Sequence, residues 1–325
     1  MMKFRSAILL AGMAAVVAVA GAANAAEKLK FAHVYEVSEP YHAQALWAAK
    51  EISKRTNGRY EIDVFPASSL GKETDINQAL SLGTVDIIYT GNLFAGGSYG
   101  PLAIAGAPYM FRDLAHWKAY AKSDLFKNLA GGYKKKTGHQ IVATTYYGSR
   151  HTTSNKPLNT PADMKNLKIR VPNAPLYMMF PKAVGANPTP LAFAEVYLAL
   201  QQGVVDAQEN PLPTIQAKKF YEVQKYINLT GHIRDSLLTI VSGSRWNRLS
   251  DADKAIFTDV LREAAARASA DIEESENTLA GWFEKQRVTV NRIDIKPFRE
   301  ATMKLHNGPD ATWSKETYDR LQAIK

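Results

Sequence analysis

Two stretches of the chain, Leu82-Gly83-Thr84-Val85-Asp86 and Gln202-Gly203-Val204-Val205-Asp206, repeat one pattern: a helix-closing glycine, a short step containing valine, then aspartate. Glycine adopts the left-handed backbone that ends a helix without a Cβ clash, and the apolar step after it reads as the start of a buried strand. Each copy closes its own cycle of strand and helix patterns. In the first cycle, residues 29–34 read as a strand, and Tyr41, Ala45, Ala49 and Ile52 mark one face of a helix that stops near Asn57-Gly58. A strand at 60–65, a helix at 73–82 and a buried strand at 85–89 follow. That is the βαβαβ order of a mostly parallel sheet. The second cycle reads as strands at 141–147 and 167–171, helices at 177–184 and 193–202, and a strand at 204–208. A chain of 325 residues also exceeds what one core sustains, so the pattern predicts two similar α/β lobes.

Between and beyond the cycles the signals are weaker. Residues 91–108, rich in glycine and proline, read as a loose segment, and 113–129 as a single helix. A strand is expected at 237–242. Ser250-Asp251-Ala252-Asp253 forms a capping-box signature, behind which Ile256, Val260, Ala264, Ala268, Ile272 and Leu279 keep a four-residue apolar step. One helix of roughly 30 residues or more follows from that step, well beyond the usual length and long enough to bridge both lobes.

The first residues read as an export leader. Lys3 and Arg5 precede an uncharged apolar stretch at 7–20, and Ala23-Asn24-Ala25 offers small residues where a signal peptidase cuts, so residues 1–25 are expected to be removed. The apolar stretch falls short of the roughly 20 residues of a spanning helix. The chain has no cysteine, which excludes disulfides, thiolate metal sites, cysteine nucleophiles and a lipoprotein anchor. The expectation is a soluble periplasmic monomer.

Net charge is +9, and loss of Lys3 and Arg5 leaves 38 basic against 31 acidic side chains, a formal +7. The dense basic run Lys134-Lys135-Lys136 sits before Gly138 and reads as a glycine-closed helix end rather than a nucleic-acid surface. No nucleic-acid partner is expected, and the positive field favours small anions. The seven histidines are scattered without metal-ligand spacing, and P-loop, dinucleotide and zinc-protease motifs are missing, so neither metal nor cofactor is expected. Gly96-Gly97-Ser98-Tyr99-Gly100 fits the nucleophile-elbow pattern and supplies the alternative reading of a secreted serine hydrolase using Ser98. That elbow needs serine directly between strand and helix, whereas here the strand pattern ends several residues earlier and Pro101 follows.

Three polar residues stand at strand ends. Arg150 falls where the strand at 141–147 gives way to a polar link. Arg170 lies on the face of its strand opposite Leu167, Ile169 and Val171, and Asn210 follows Gln208-Glu209 at the end of another strand. Ligands of open α/β sheets collect at the carboxyl ends of strands, and arginine's planar fork suits a carboxylate, although an interior arginine equally serves a structural ion pair.

The stretches Thr152-Thr153-Ser154-Asn155, Lys168-Ile169-Arg170-Val171-Pro172-Asn173, Gly185-Ala186-Asn187-Pro188-Thr189-Pro190, Phe193-Ala194-Glu195-Val196-Tyr197 and Val205-Asp206-Ala207-Gln208-Glu209-Asn210-Pro211 resemble the periplasmic substrate-binding proteins of TRAP transporters, the DctP family. The resemblance extends over essentially the whole chain after the leader and is strongest to sialic-acid-binding members. It implies a non-enzymatic protein of two-lobe periplasmic binding protein fold, with strands exchanged between lobes and a long helix spanning both. It also implies partners: a small carboxylate ligand and the membrane subunits of the transporter. By the same resemblance Arg170 pairs with the ligand carboxylate, Arg150 is a second anion-binding arginine, Asn210 an amide donor, Phe193 an aromatic wall and Glu73 a polar position on the opposite lobe. Where sialic-acid-binding members carry a glutamate and an arginine, this chain has Gly91 and Phe94, and Val34 stands at their early asparagine. A smaller or less hydroxylated acid is therefore expected, with His33, Tyr89, Asn92 and His151 as further candidate contacts. The lobes are expected at 26–147 plus 236–275 and at 148–235 plus 276–325, with crossings near 149–152 and 235.

Overall fold

The structure, a computed structural model, describes residues 25–325, so the expected leader lies, but for Ala25, outside the described residues. The first cycle comprises β1 (Glu27–Ala32), α1 (Pro40–Arg55), β2 (Tyr60–Phe65), α2 (Glu73–Leu82) and β3 (Ile87–Gly91). After it come α3 (Asn92–Gly96), α4 (Leu114–Lys122), α5 (Asp124–Thr137) and the long strand β4 (Gln140–Ser154). The second cycle holds β5 (Lys168–Val171), α6 (Met179–Ala183), β6 (Asn187–Pro190), α7 (Val196–Gln201) and β7 (Ala207–Pro211), followed by α8 (Leu212–Ala217) and a second long strand, β8 (Tyr226–Val241). The chain ends with α9 (Gly243–Trp246), α10 (Asp251–Lys285), β9 (Thr289–Asn291), α11 (Lys296–Met303) and α12 (Lys315–Gln322).

The strand order is β2-β1-β3-β8-β4-β7-β5-β6, with β9 on β8. β1, β2 and β3 are parallel, as are β5, β6 and β7, and each trio is flanked by a long antiparallel strand. One half therefore duplicates the other. The duplication reaches single atoms: the Asp86 carboxylate accepts from Lys30 N at 2.9 Å, and Asp206 accepts from Lys168 N at 3.0 Å. Gly83 and Gly203 take φ of 73° and 69°, values that explain the glycine in each copy.

The two long strands exchange partners between halves. β8 pairs with β3 through 237–241 and with β9 through 226–228, while β4 runs beside it for its whole length. The expected strand at 141–147 is thus too short, and the expected polar link at 149–152 lies within the second half of β4. Its polar residues Arg150, Thr152, Thr153 and Ser154 are buried between β7 and β8, so polarity there does not mark a surface loop.

Two other expectations change. The helix at 113–129 breaks at Ser123, whose hydroxyl accepts from Phe126 N at 3.2 Å and starts α5 anew. The segment at 91–108 is compact: α3 and a tight-turned stretch at Gly100–Gly106 bury Leu102 through Gly106. Gly106 is there for close approach, since a Cβ on it would stand 2.7 Å from the Leu93 side chain. The long helix has the cap the sequence gives it, with Ser250 Oγ accepting from Asp253 N at 3.1 Å. At 35 residues α10 spans about 50 Å and touches α1 and β4 as well as α8 and β9.

The largest apolar cluster lies around the first cycle, where Phe31, Ile52, Ile87 and Phe257 meet Leu238 of β8. Two smaller clusters serve the second cycle, one with Ile215, Phe220 and Phe283, the other with Ile169, Phe180 and Phe298. Trp313 and Leu321 return to the first cluster, and Gln322 donates to the Met110 carbonyl. Among the described residues no helix is long and apolar enough to cross a membrane.

Candidate functional site

A cavity lies where the ends of β5 and β7 meet the crossing strands β4 and β8 and the amino end of α2. Arg170, Arg150, Asn210, Phe193 and Glu73 all line it, together with Tyr35, Tyr147, Tyr177, Phe94 and Asp235. Its free volume is about 30 Å³, room for a couple of water-sized groups, so the walls stand almost in contact. Across the gap between α1 and α8, Thr214 donates to Glu39 at 2.7 Å and Lys218 to Glu36 at 2.7 Å, while the Tyr41 hydroxyl donates to the Tyr147 carbonyl at 2.9 Å.

The two arginines are equally buried, each 2% exposed, and differ in their partners. Arg150 donates from Nε and Nη2 to the Glu209 carboxylate at 2.5 and 2.7 Å, and from Nη1 to Asp235 at 3.0 Å. Its charge is already matched. Burial opposes that charge, but Glu209 and Asp235 outweigh it and hold the guanidinium well above its ordinary range. Burial likewise raises Glu209, yet Arg150 and His232 overcome it and keep the carboxyl at about 2. Asp235 is raised by burial, with Arg150 opposing.

Arg170 has no such partner set. Its Nε and Nη2 both donate to the Leu191 carbonyl, at 3.0 and 2.7 Å, and Nη1 is buried without a partner. Burial lowers it to about 10, with Glu209 opposing and Arg150 adding to the fall. A cation removed from water and offered a neutral carbonyl is an arrangement that an entering anion completes. Asn210 stands beside it with Nδ2 on Gln208 Oε1 at 2.6 Å and Oδ1 accepting from the Tyr147 hydroxyl at 3.3 Å.

The opposite wall is acidic and aromatic. Glu73 Oε1 accepts from Thr90 Oγ1 at 2.9 Å and Gly91 N at 2.8 Å, and burial raises its carboxyl to about 7 against those two bonds. Tyr35 packs on Tyr147 and Phe193, with ring centroids 5.3 and 6.3 Å apart, and Phe94 packs on Tyr177 at 6.0 Å. The Arg150 guanidinium lies 5.1 Å from the Tyr177 ring centroid.

The other four sequence candidates do not line the cavity. His33 bonds His42 at 3.2 Å and is lowered by burial to about 3, a neutral core ring. Tyr89 packs edge-on against Phe31, and His151 Nδ1 accepts from Gly231 N at 3.0 Å. Asn92 opens α3, its Oδ1 buried without a partner. Arg150 too departs from expectation, since it sits within a strand rather than at its end. Tyr35, Tyr177 and Asp235 escaped the sequence reading: a lone tyrosine resembles ordinary core, and Asp235 lies inside β8, of which only the last residues read as strand. Tyr147 had a signal, its place in the same short stretch as Arg150. Ser98 is exposed, follows helix α3 rather than a strand, and does not line the cavity, which removes the geometry a nucleophile elbow needs.

Comparison with known proteins gives consistent matches over nearly the whole chain. Residues 31–309 match the family model DctP, described as bacterial extracellular solute-binding protein, family 7. The sialic acid-binding periplasmic protein of Vibrio cholerae is 36% identical over 306 residues, covering 94% of this chain and 95% of that one. A TRAP periplasmic solute-binding protein of Bordetella bronchispeptica, whose ligand density is assigned as pantoate, superposes with a TM-score of 0.87 at 31% identity, covering 92% of this chain and 99% of that one. One from Roseobacter denitrificans with bound L-galactonate gives a TM-score of 0.86 at 32% identity, covering 91% and 98%.

Proposed function

The chain belongs to the DctP family, the periplasmic solute-binding proteins of TRAP transporters, and from that premise we propose that it captures a small organic carboxylate on Arg170 and delivers it to the transporter's membrane subunits. The observation that carries this reading is the buried Arg170, which lines the cavity, is held by one carbonyl and keeps Nη1 without a partner. A carboxylate there would gain two charge-assisted bonds in a site with little water, where such bonds are strongest. Pantoate and L-galactonate, named with two similar structures, are both carboxylates and support the class. Asn210 and Phe193 would position the acid, and Glu73 would face it from the other side.

The capturing unit is read as a monomer of two lobes, 26–147 with 236–275 and 148–235 with 276–325, whose tail packs its last helix back against the first lobe. β4, β8 and α10 pass between the lobes and would serve as the hinge. Ligand would enter an open form and draw the walls together, joining α1 to α8 through Thr214–Glu39 and Lys218–Glu36.

The test is a melting-temperature screen against organic acids. A ligand at 100 times its dissociation constant stabilises by about 2.7 kcal/mol, a readable rise. Carboxylates should raise the melting temperature without being consumed, and Arg170→Ala should abolish the rise. A screen in which no carboxylate stabilises the wild type would overturn the reading.

A further inference from the structure

Resting on the carboxylate reading above, we infer that the ligand is a short monocarboxylate with a compact, largely apolar body, rather than a dicarboxylate or a polyhydroxy acid. Charge matching comes first. Arg150 is ion-paired with Glu209 and Asp235, which leaves Arg170 as the buried arginine of the cavity wall without an ion-pair partner. One positive charge calls for one carboxylate. A second carboxylate reaching the far wall meets Glu73 and Asp235, both acids, and Lys72 stands on the exposed rim, where solvent screens an ion pair.

The body of the ligand is defined by what remains. Val34, Phe94, Pro172, Leu191, Phe193 and Leu237 line the cavity with carbon. Several polar groups of the wall are already engaged: the Tyr147 hydroxyl lies within hydrogen-bond distance of Asn210 Oδ1 and of the Thr214 hydroxyl, and the Asn210 amide donates to Gln208. A ligand hydroxyl placed against Val34 or Phe94 would find no partner in those side chains. One buried hydroxyl without a partner weakens binding roughly 5- to 150-fold. Length is limited as well, because Tyr177, which lines the cavity, reaches across to the first cycle, where its hydroxyl stands 3.0 Å from where a Cβ on Gly91 would be.

Titration calorimetry with three acids of similar size tests this: α-hydroxyisovalerate, erythronate and succinate, each against wild type, Val34→Asn and Arg170→Ala. In the wild type α-hydroxyisovalerate should bind at least tenfold more tightly than the other two. Val34→Asn should narrow its advantage over erythronate fivefold or more. If erythronate or succinate binds the wild type as tightly as α-hydroxyisovalerate, and Arg170→Ala still abolishes binding, this inference fails and the carboxylate reading survives. If none of the three binds, this inference fails and the melting-temperature screen decides the carboxylate reading; if binding is indifferent to Arg170→Ala, both fail.

Discussion

Arg150 and Arg170 line one cavity, equally buried, with opposite sets of partners. Around Arg150 the protein supplies two carboxylates, and five hydrogen bonds close into a network without any ligand. Around Arg170 it supplies one carbonyl and leaves a donor unused. Burial alone therefore says nothing about which arginine binds. The partner inventory separates the two, because a matched cation has its stabilisation internally and an unmatched one lacks it, which is the ground on which Arg170 is proposed as the anchor.

The comparison breaks most visibly in stability. Arg150→Ala strands Glu209 and Asp235 in the interior, and loss of one partner from a buried pair costs about 3–5 kcal/mol. Urea unfolding should show that loss. A cost below about 1 kcal/mol would mean that the network is not what holds β4 to β7 and β8.

Arg170→Ala should do the reverse. Affinity for the ligand falls by about 2–5 kcal/mol, roughly 30- to 5,000-fold, while the ligand-free protein keeps its stability or gains some, since a buried cation without a counter-charge is removed. Calorimetry and urea unfolding on one preparation read both. Arg170→Lys should retain little of the affinity, because an ammonium cannot reproduce the planar fork.

The acids carry the contrast into pH. Glu209, beside Arg150, is held at about 2, whereas Glu73, bonded to neutral donors, is raised by burial to about 7. A carboxyl raised above its unfolded value of about 4.5 favours the protonated folded form. Its contribution to stability is therefore fully present below about pH 4.5 and lost as pH rises through about 7. Glu73→Gln should gain stability relative to wild type between pH 4.5 and pH 7.5 in unfolding curves. A difference that is flat with pH would place Glu73 outside this account.

The smallest effect expected is at Asn210. Its amide is already bonded to Gln208 and Tyr147, so Asn210→Ala should weaken binding by about 0.5–1.5 kcal/mol, less than any change at Arg170. Calorimetry that finds a loss as large as that of Arg170→Ala would move the anchor from the guanidinium to the amide.

Much of this could be read from the chain. The twin glycine-valine-aspartate turns foretold two parallel trios because glycine's backbone and the aspartate's bond to the neighbouring strand depend on local sequence. The four-residue apolar step and Ser250 likewise foretold α10. Arg170 and Asn210 stood out as polar residues at strand ends, the resemblance added Phe193, and all three line the cavity. The central strands were harder, because hydrophobic periodicity treats polar residues as surface, and β4 buries Arg150, Thr152, Thr153 and Ser154 close together. Arg150's role was hidden for the same reason: its partners Glu209 and Asp235 are brought to it by β7 and β8, pairings that no local pattern announces. Tyr35, Tyr147 and Tyr177 converge from three distant segments, and only the closed walls bring them together.

The most direct test is a crystal structure with a carboxylate ligand bound. The account predicts a carboxylate oxygen at about 2.7–2.9 Å from Arg170 Nη1, with Arg150 still bonded to Glu209 and Asp235. A ligand carboxylate seated on Arg150 with Glu209 displaced, or one that leaves Arg170 Nη1 untouched, would contradict it.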